Sequence, residues 1–351
     1  MPALLLFNLK LLPDMIYSNK LSLLLVLMIF LGACERLIIE PDPANEPEEN
    51  FDLLWKTVDE KYSFFDYKGI DWDEVYQRYR PLVSEGISDE ALFTVMADML
   101  GELRDGHVNL VSDFDVARYS DWYFDYPANY NETVIERNYL GKDYRVVLPF
   151  PTKVIRNVGY IRYGSFLNPF DGDRLDQLID DYRGLNGIII DIRDNTGGAL
   201  AYVDTLATRL AQRNGEEELT VGYVRYKDGP AHNDFTRTFP VKLSEHASFN
   251  KPVVVLTNRT VYSAGNAFAS YMATLPNVTL VGDVTGGGGG APYSGELLNG
   301  WKFFFSATQL MDLNQVPIEN GVEPDVRVDI SPEDEAAGRD TILETALDLL
   351  H

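Results

Sequence analysis

K-P-V-V-V-L-T-N-R-T-V-Y-S-A-G-N, Lys251 to Asn266, opens on four apolar, mostly β-branched residues, Val253 to Leu256. That is the pattern of a fully buried strand. A short polar turn leads into Ala264 to Tyr271, whose small and apolar residues recur at helical spacing. Ser263 therefore lies where a strand passes into a helix, and the amides of a helix start are unpaired and carry partial positive charge. G-I-I-I-D-I-R-D-N-T-G-G, Gly187 to Gly198, is built alike: a buried run, Ile188 to Ile190, a polar exit, and two glycines that allow close backbone approach.

A serine hydroxyl becomes a nucleophile only beside a base and a pair of oxyanion donors. The Gly197-Gly198 backbone suits the donors. The chain has four histidines. His232 and His246 lie in polar sequence and His351 is the terminus, so His107, in L-R-D-G-H after the helical stretch Asp89 to Leu103, is the candidate base. Each piece also has a plain reading: Ser263 as a helix N-cap, Asp191 and Arg193 as partners of each other.

D-G-H, D-I-R-D-N-T-G-G and N-R-T-V-Y-S-A-G-N in this order resemble peptidase family S41, the C-terminal processing proteases and tricorn-like enzymes. Further pieces match in sequence: W-K-T-V-D-E-K-Y-S-F-F (Trp55 to Phe65), V-G-Y-I-R-Y-G-S-F (Val158 to Phe166), L-V-G-D-V-T-G-G (Leu280 to Gly287), E-N-G-V-E-P-D (Glu319 to Asp325) and G-R-D-T-I-L-E-T-A-L (Gly338 to Leu347).

The resemblance implies a ClpP/crotonase-like α/β catalytic domain with an N-terminal helical domain, and serine peptidase activity. The processing proteases use a lysine some two dozen residues after the serine. Here that stretch is T-G-G-G-G-G, Thr285 to Gly290, and Lys302 is the only later lysine. The tricorn-like arrangement fits instead: Ser263 as nucleophile, His107 as base, Glu319 as its orienter, and the Gly198 and Ala264 amides as oxyanion donors. Two positions depart from the family pattern. Asn266 stands where a glutamate is common, and the roughly fifty residues between His107 and Val158 leave no room for a complete PDZ domain. Substrate selection would then fall to the helical region and to Y-S-D-W-Y-F-D-Y, Tyr119 to Tyr126.

Leu21 to Leu31 is an apolar stretch behind Asn19-Lys20, ending in L-G-A-C. It reads as a secretory signal, too short to span a bilayer comfortably. Cys34, the only cysteine, makes it resemble a bacterial lipoprotein signal in which that residue is lipidated; translation from Met15 would give a compact leader. The expected organisation is a leader over 1–33, an acidic proline-rich tether over 34–50, a helical domain over 51–112, a connector over 113–145 and the catalytic domain over 146–351.

The resulting expectation is a lipid-anchored protein of the bacterial cell envelope acting on a polypeptide. A net charge of −24 disfavours nucleic-acid phosphates and anionic lipid as partners. No cofactor and no metal is expected, since no CxxC, HExxH or Walker pattern occurs. Oligomeric state is not readable. The alternatives are a non-catalytic ligand- or peptide-binding lipoprotein on the same fold, and a hydrolase of a non-peptide ester.

Overall fold

The computed structural model describes residues 45–124 and 126–351. The leader, Cys34 and most of the tether lie outside the described residues.

The tether is shorter than expected, because its last residues are already helical. Helix α1, Pro47–Lys61, begins with proline in its first turn and continues with Glu48 and Glu49. Proline costs nothing where the amide has no helical partner, and carboxylates suit the positive helix end. Three more helices follow: α2 (Phe65–Lys68), α3 (Trp72–Tyr79) and α4 (Asp89–Gly101). The stripe Leu92, Met96, Met99 and Leu103 is buried. Asp71 and Ser88 cap α3 and α4 by accepting from Glu74 N–H and Ala91 N–H.

These helices do not stand apart as a 51–112 domain. Strands β1 (Asn109–Val111) and β2 (Val116–Arg118) join β11 (Pro292–Glu296) and β12 (Lys302–Ser306) in one sheet ordered β11-β12-β1-β2. Leu297, Trp301, Phe303 and Phe305 lie in the same apolar core as Phe51, Leu54, Trp72 and Met96. Strand β12 is therefore the floor of the helical region.

The central sheet has seven strands. These are β3 (Arg145–Val147), β4 (Phe150–Ile155), β5 (Val158–Arg162), β6 (Ile188–Asp191), β9 (Val253–Thr257), β10 (Val278–Gly282) and β14 (Val326–Arg327), in the order β14-β10-β9-β6-β5-β4-β3. Pairing is parallel from β14 to β5 and antiparallel at β4 and β3. Helices α5 (Gly172–Tyr182), α6 (Leu200–Leu210) and α7 (Ala264–Ala273) pack into the core on one face, and α8 (Thr341–Leu349) covers the other. Every residue of β6 and β9 is buried, as a strand covered on both faces requires. A second small sheet, β13-β7-β8 (Thr308–Met311, Leu219–Tyr226, Phe239–Leu243), flanks this body. Among the described residues no helix is long and apolar enough to cross a membrane.

Candidate active site

Ser263 and His107 meet. Ser263 Oγ lies 3.0 Å from His107 Nε2. The serine stands at the head of α7, yet its hydroxyl caps nothing. Its backbone is at φ 54° and ψ −120°, a region that costs a non-glycine residue about 1–3 kcal/mol. A capping serine needs no such strain, so the plain N-cap reading is excluded.

Two glycine segments close around it. The Ser263 amide donates to Gly287 O at 2.9 Å. Gly197, at φ 109°, approaches so closely that a Cβ there would lie 2.8 Å from Ser263 Cβ. Gly198 bridges to Phe166 through its neighbours: Phe166 N–H donates to Gly197 O, and Ala199 N–H to Phe166 O. The Gly198 amide itself thus faces away from Phe166. It lines, with Ser263 and Ala264, a cavity of about 210 Å³ whose walls include Leu200, Val224, Ala267 and Leu310. A larger cavity, about 570 Å³, lies between α4 and β1–β2 and touches neither Ser263 nor His107. The serine–histidine pair, not the volume, marks the candidate site.

His107 reaches Ser263 because of strand register. Asn109 pairs with Phe304 across β1 and β12, and continuing the antiparallel ladder sets His107 opposite Ser306. Ser306 Oγ is 3.4 Å from His107 Nδ1. Asp105 Oδ1 is 3.7 Å from the same nitrogen and accepts the His107 backbone N–H at 2.8 Å. The Ser306 hydroxyl at Nδ1, with the Asp105 charge nearby, favours the tautomer protonated there and leaves Nε2 to accept from the serine hydroxyl.

Glu319 does not hold the place expected of it. Among the described residues no hydrogen bond joins it to His107. One carboxylate oxygen pairs with Lys68 Nζ at 2.7 Å, and the other accepts Gly289 N–H at 2.8 Å. The reason is geometric: β12 already fills the space behind the imidazole with Ser306. Asn266 donates to Ile318 O and accepts from Thr285 Oγ1, so the amide that replaces the customary glutamate ties α7 to the turn carrying Glu319. Lys302 is exposed on β12, opposite Val111.

Burial sets the protonation of these groups. It pushes His107 below its ordinary value, with Lys68 adding to the effect and Asp105 opposing it. Burial also raises Glu319, and the nearby Asp105 charge helps push it up to about 8, against Lys68 and the Gly289 amide. Asp105 is buried too, but Lys68, His107, the His107 amide and Ser306 together hold it below the usual carboxylate range.

The aromatic insert roofs the site. Trp122 stacks on Tyr262, the residue before the serine, with ring centroids 4.1 Å apart. Arg259 donates to Trp122 O and lies 4.1 Å from the Tyr126 ring. Lys68, Asp105 as a side-chain partner and Ser306 were not singled out from sequence, whereas Trp122 lies in the stretch Tyr119 to Tyr126 that was. Lys68 and Ser306 appear in sequence only as a charge and a hydroxyl beside aromatic residues.

The family model "Peptidase family S41" matches residues 157–328, and "Tricorn protease C1 domain" matches 43–101. Ser263, Gly198 and Glu319 fall in the first match and Lys68 in the second, while His107 lies between them. The crystal structure of a "putative peptidase" from Parabacteroides merdae is 45% identical, with a TM-score of 0.82, over 88% of this chain and 97% of that one. A "Putative Tricorn-like protease C-terminal subunit" of Sulfurisphaera tokodaii is 32% identical over 46% of this chain. The carboxy-terminal processing protease CtpA of Bacillus subtilis is 25% identical over 50% of it. The matched regions span 17% and 35% of those two curated proteins. By its ordered motifs, its fold and these matches, the chain belongs to peptidase family S41.

Proposed function

We propose that this chain is a serine peptidase that cleaves through an acyl-enzyme at Ser263. His107 takes the Ser263 proton as Oγ attacks the scissile carbonyl, then gives it to the leaving amine; water repeats the cycle to release the acyl group. Asp105, directly and through Ser306, holds the imidazole tautomer and stabilises the imidazolium. Gly198 and Ala264 N–H receive the oxyanion. Glu319 acts on the glycine run instead of on the histidine. The observation that carries this reading is the 3.0 Å Nε2–Oγ contact made by a strained, uncapped serine.

The cavity beside Ser263, walled by leucine, valine and alanine, favours a small or medium apolar side chain next to the cut. The terminal sequence supports a lipid anchor at Cys34 and a place in the bacterial cell envelope. Loss of palmitate labelling in Cys34→Ser checks that part.

The main test uses a fluorophosphonate probe and an unfolded protein mixture on the leader-free protein, beside Ser263→Ala. Labelling at Ser263 and new peptide ends, both absent in the variant, are expected. Labelling without new ends would move the reading to ester hydrolysis, and neither would favour a binding protein.

A further inference from the structure

Lys68 ends α2 in the helical region, and its side chain is only 8% exposed. Its ammonium has three protons to donate. Three acceptors surround it: Glu319 Oε1 at 2.7 Å, Arg104 O at 2.9 Å and Leu103 O at 3.3 Å. The last two carbonyls belong to the turn immediately before Asp105-Gly106-His107. Arg104, at φ 48°, answers by donating its guanidinium to Lys68 O. On the other side, Glu319 passes the contact to the glycine run twice, through Oε2 to Gly289 N–H and through its backbone oxygen to Gly288 N–H at 3.0 Å. Gly287, next in that run, accepts the Ser263 amide. One buried cation thus touches the turn that carries the base and, through one carboxylate, the run that fixes the nucleophile.

We propose that Lys68 is a positioning residue, setting the distance between Ser263 and His107 by clamping the two segments that carry them. The inference rests on the catalytic reading above. It makes the site incomplete without the helical region, since the clamp comes from α2 and both clamped segments come from elsewhere. The Lys68–Glu319 contact is placed to join the turn before His107 to the glycine run behind Ser263. The pair also lines a cavity of about 400 Å³ together with Gly106 and Tyr262, the residues that precede His107 and Ser263 in sequence. Charged or titratable groups facing it are Asp105, His107, Tyr62, Tyr67 and Tyr262.

The test compares wild type, Lys68→Met, Glu319→Gln and the double variant in fluorophosphonate labelling rate, in kcat and KM on a peptide cut by wild type, and in Tm. Misplacing a catalytic group by an ångström costs about 100-fold. Lys68→Met is expected to lose about 10- to 100-fold in kcat and labelling rate with KM within about threefold. The double variant is expected to lose no more than Lys68→Met alone, because one acts through the other. Lys68→Arg, keeping the charge, is expected to recover part of the rate. If Lys68→Met does not fold, Glu319→Gln, which keeps volume and shape, carries the same expectation for kcat. Unchanged labelling in Lys68→Met or Glu319→Gln, a loss matching only the unfolded fraction, or additive losses would overturn the inference while leaving Ser263 catalysis intact. Absence of labelling in wild type would remove the catalytic reading itself.

Discussion

Two buried ionic clusters among the described residues are built differently. At the end of β6, Arg193 meets Asp191 Oδ2 at 2.7 Å and Asp340 Oδ2 at 2.8 Å, all three side chains inaccessible. Tyr160 Oη adds a bond to Asp191, and the backbone oxygen of Asn129 accepts from Arg193. One guanidinium bridges the two carboxylates, the Arg162 charge lies near Asp191, and both carboxylates are engaged by donors. Behind His107 the opposite holds. Asp105 Oδ2 is buried without a described partner, Glu319 is pushed up to about 8, and His107 is pushed down. A satisfied cluster fixes a shape, whereas a cluster left under electrostatic tension keeps protons movable. D-I-R-D therefore serves structure and, on the proposed reading, D-G-H serves chemistry, although both look like polar exits in sequence.

The contrast breaks most visibly at its structural pole. Removing the cation in Arg193→Met leaves two buried carboxylates facing each other, and should cost about 3–5 kcal/mol in urea unfolding. The surviving folded fraction should keep its labelling rate at Ser263. Asp105→Asn should shift the balance, dropping kcat about 100-fold or more by disturbing the imidazole tautomer while costing clearly less stability than Arg193→Met. Comparable losses of stability in both variants would mean the clusters do not differ in kind.

A third measurement uses pH. Asp191 and Asp105 sit below the ordinary carboxylate range, so the stability they lend is present above about pH 4 and fades as acid protonates them. Glu319 runs the other way. Raised from 4.5 to about 8, it contributes most below 4.5 and loses that contribution as pH climbs through 8. Unfolding free energy should therefore fall between pH 5 and 9, and Glu319→Gln should flatten that slope. An unchanged slope would place the effect on another group. In the same series, His107 lowered by burial sets the acid limb of kcat/KM below 6.5.

The smallest expected effect belongs to the cavity. Ala267→Phe narrows it and should lower kcat/KM for a leucine at the cut by about tenfold relative to alanine. No change in preference would mean that another surface reads the substrate.

Much of this architecture was legible. Val253 to Leu256 and Ile188 to Ile190 are buried parallel strands because unbroken β-branched runs admit little else. Asp171 caps α5, as an aspartate just before a helical run does. The meeting of Ser263 with His107 followed from ordered motifs. What surrounds His107 did not, because Ser306 reaches Nδ1 through the register of β1 on β12, and no local pattern states which strands pair. Lys68 stayed invisible for the same reason: its three acceptors come from two distant segments. The helical region read as separate because Trp301 to Phe305 show strand alternation without naming the body they cover.

That pairing has a consequence in time. His107 lies 156 residues before Ser263 and 199 before Ser306. Contacts so far apart form late, since their loop-closure entropy must be overcome first. A chain emerging from the ribosome or threading across a membrane has its base long before its nucleophile, and its nucleophile before β12 and Glu319. On the proposed reading, the unfinished protein is harmless to its neighbours, and the act of folding is its own activation step.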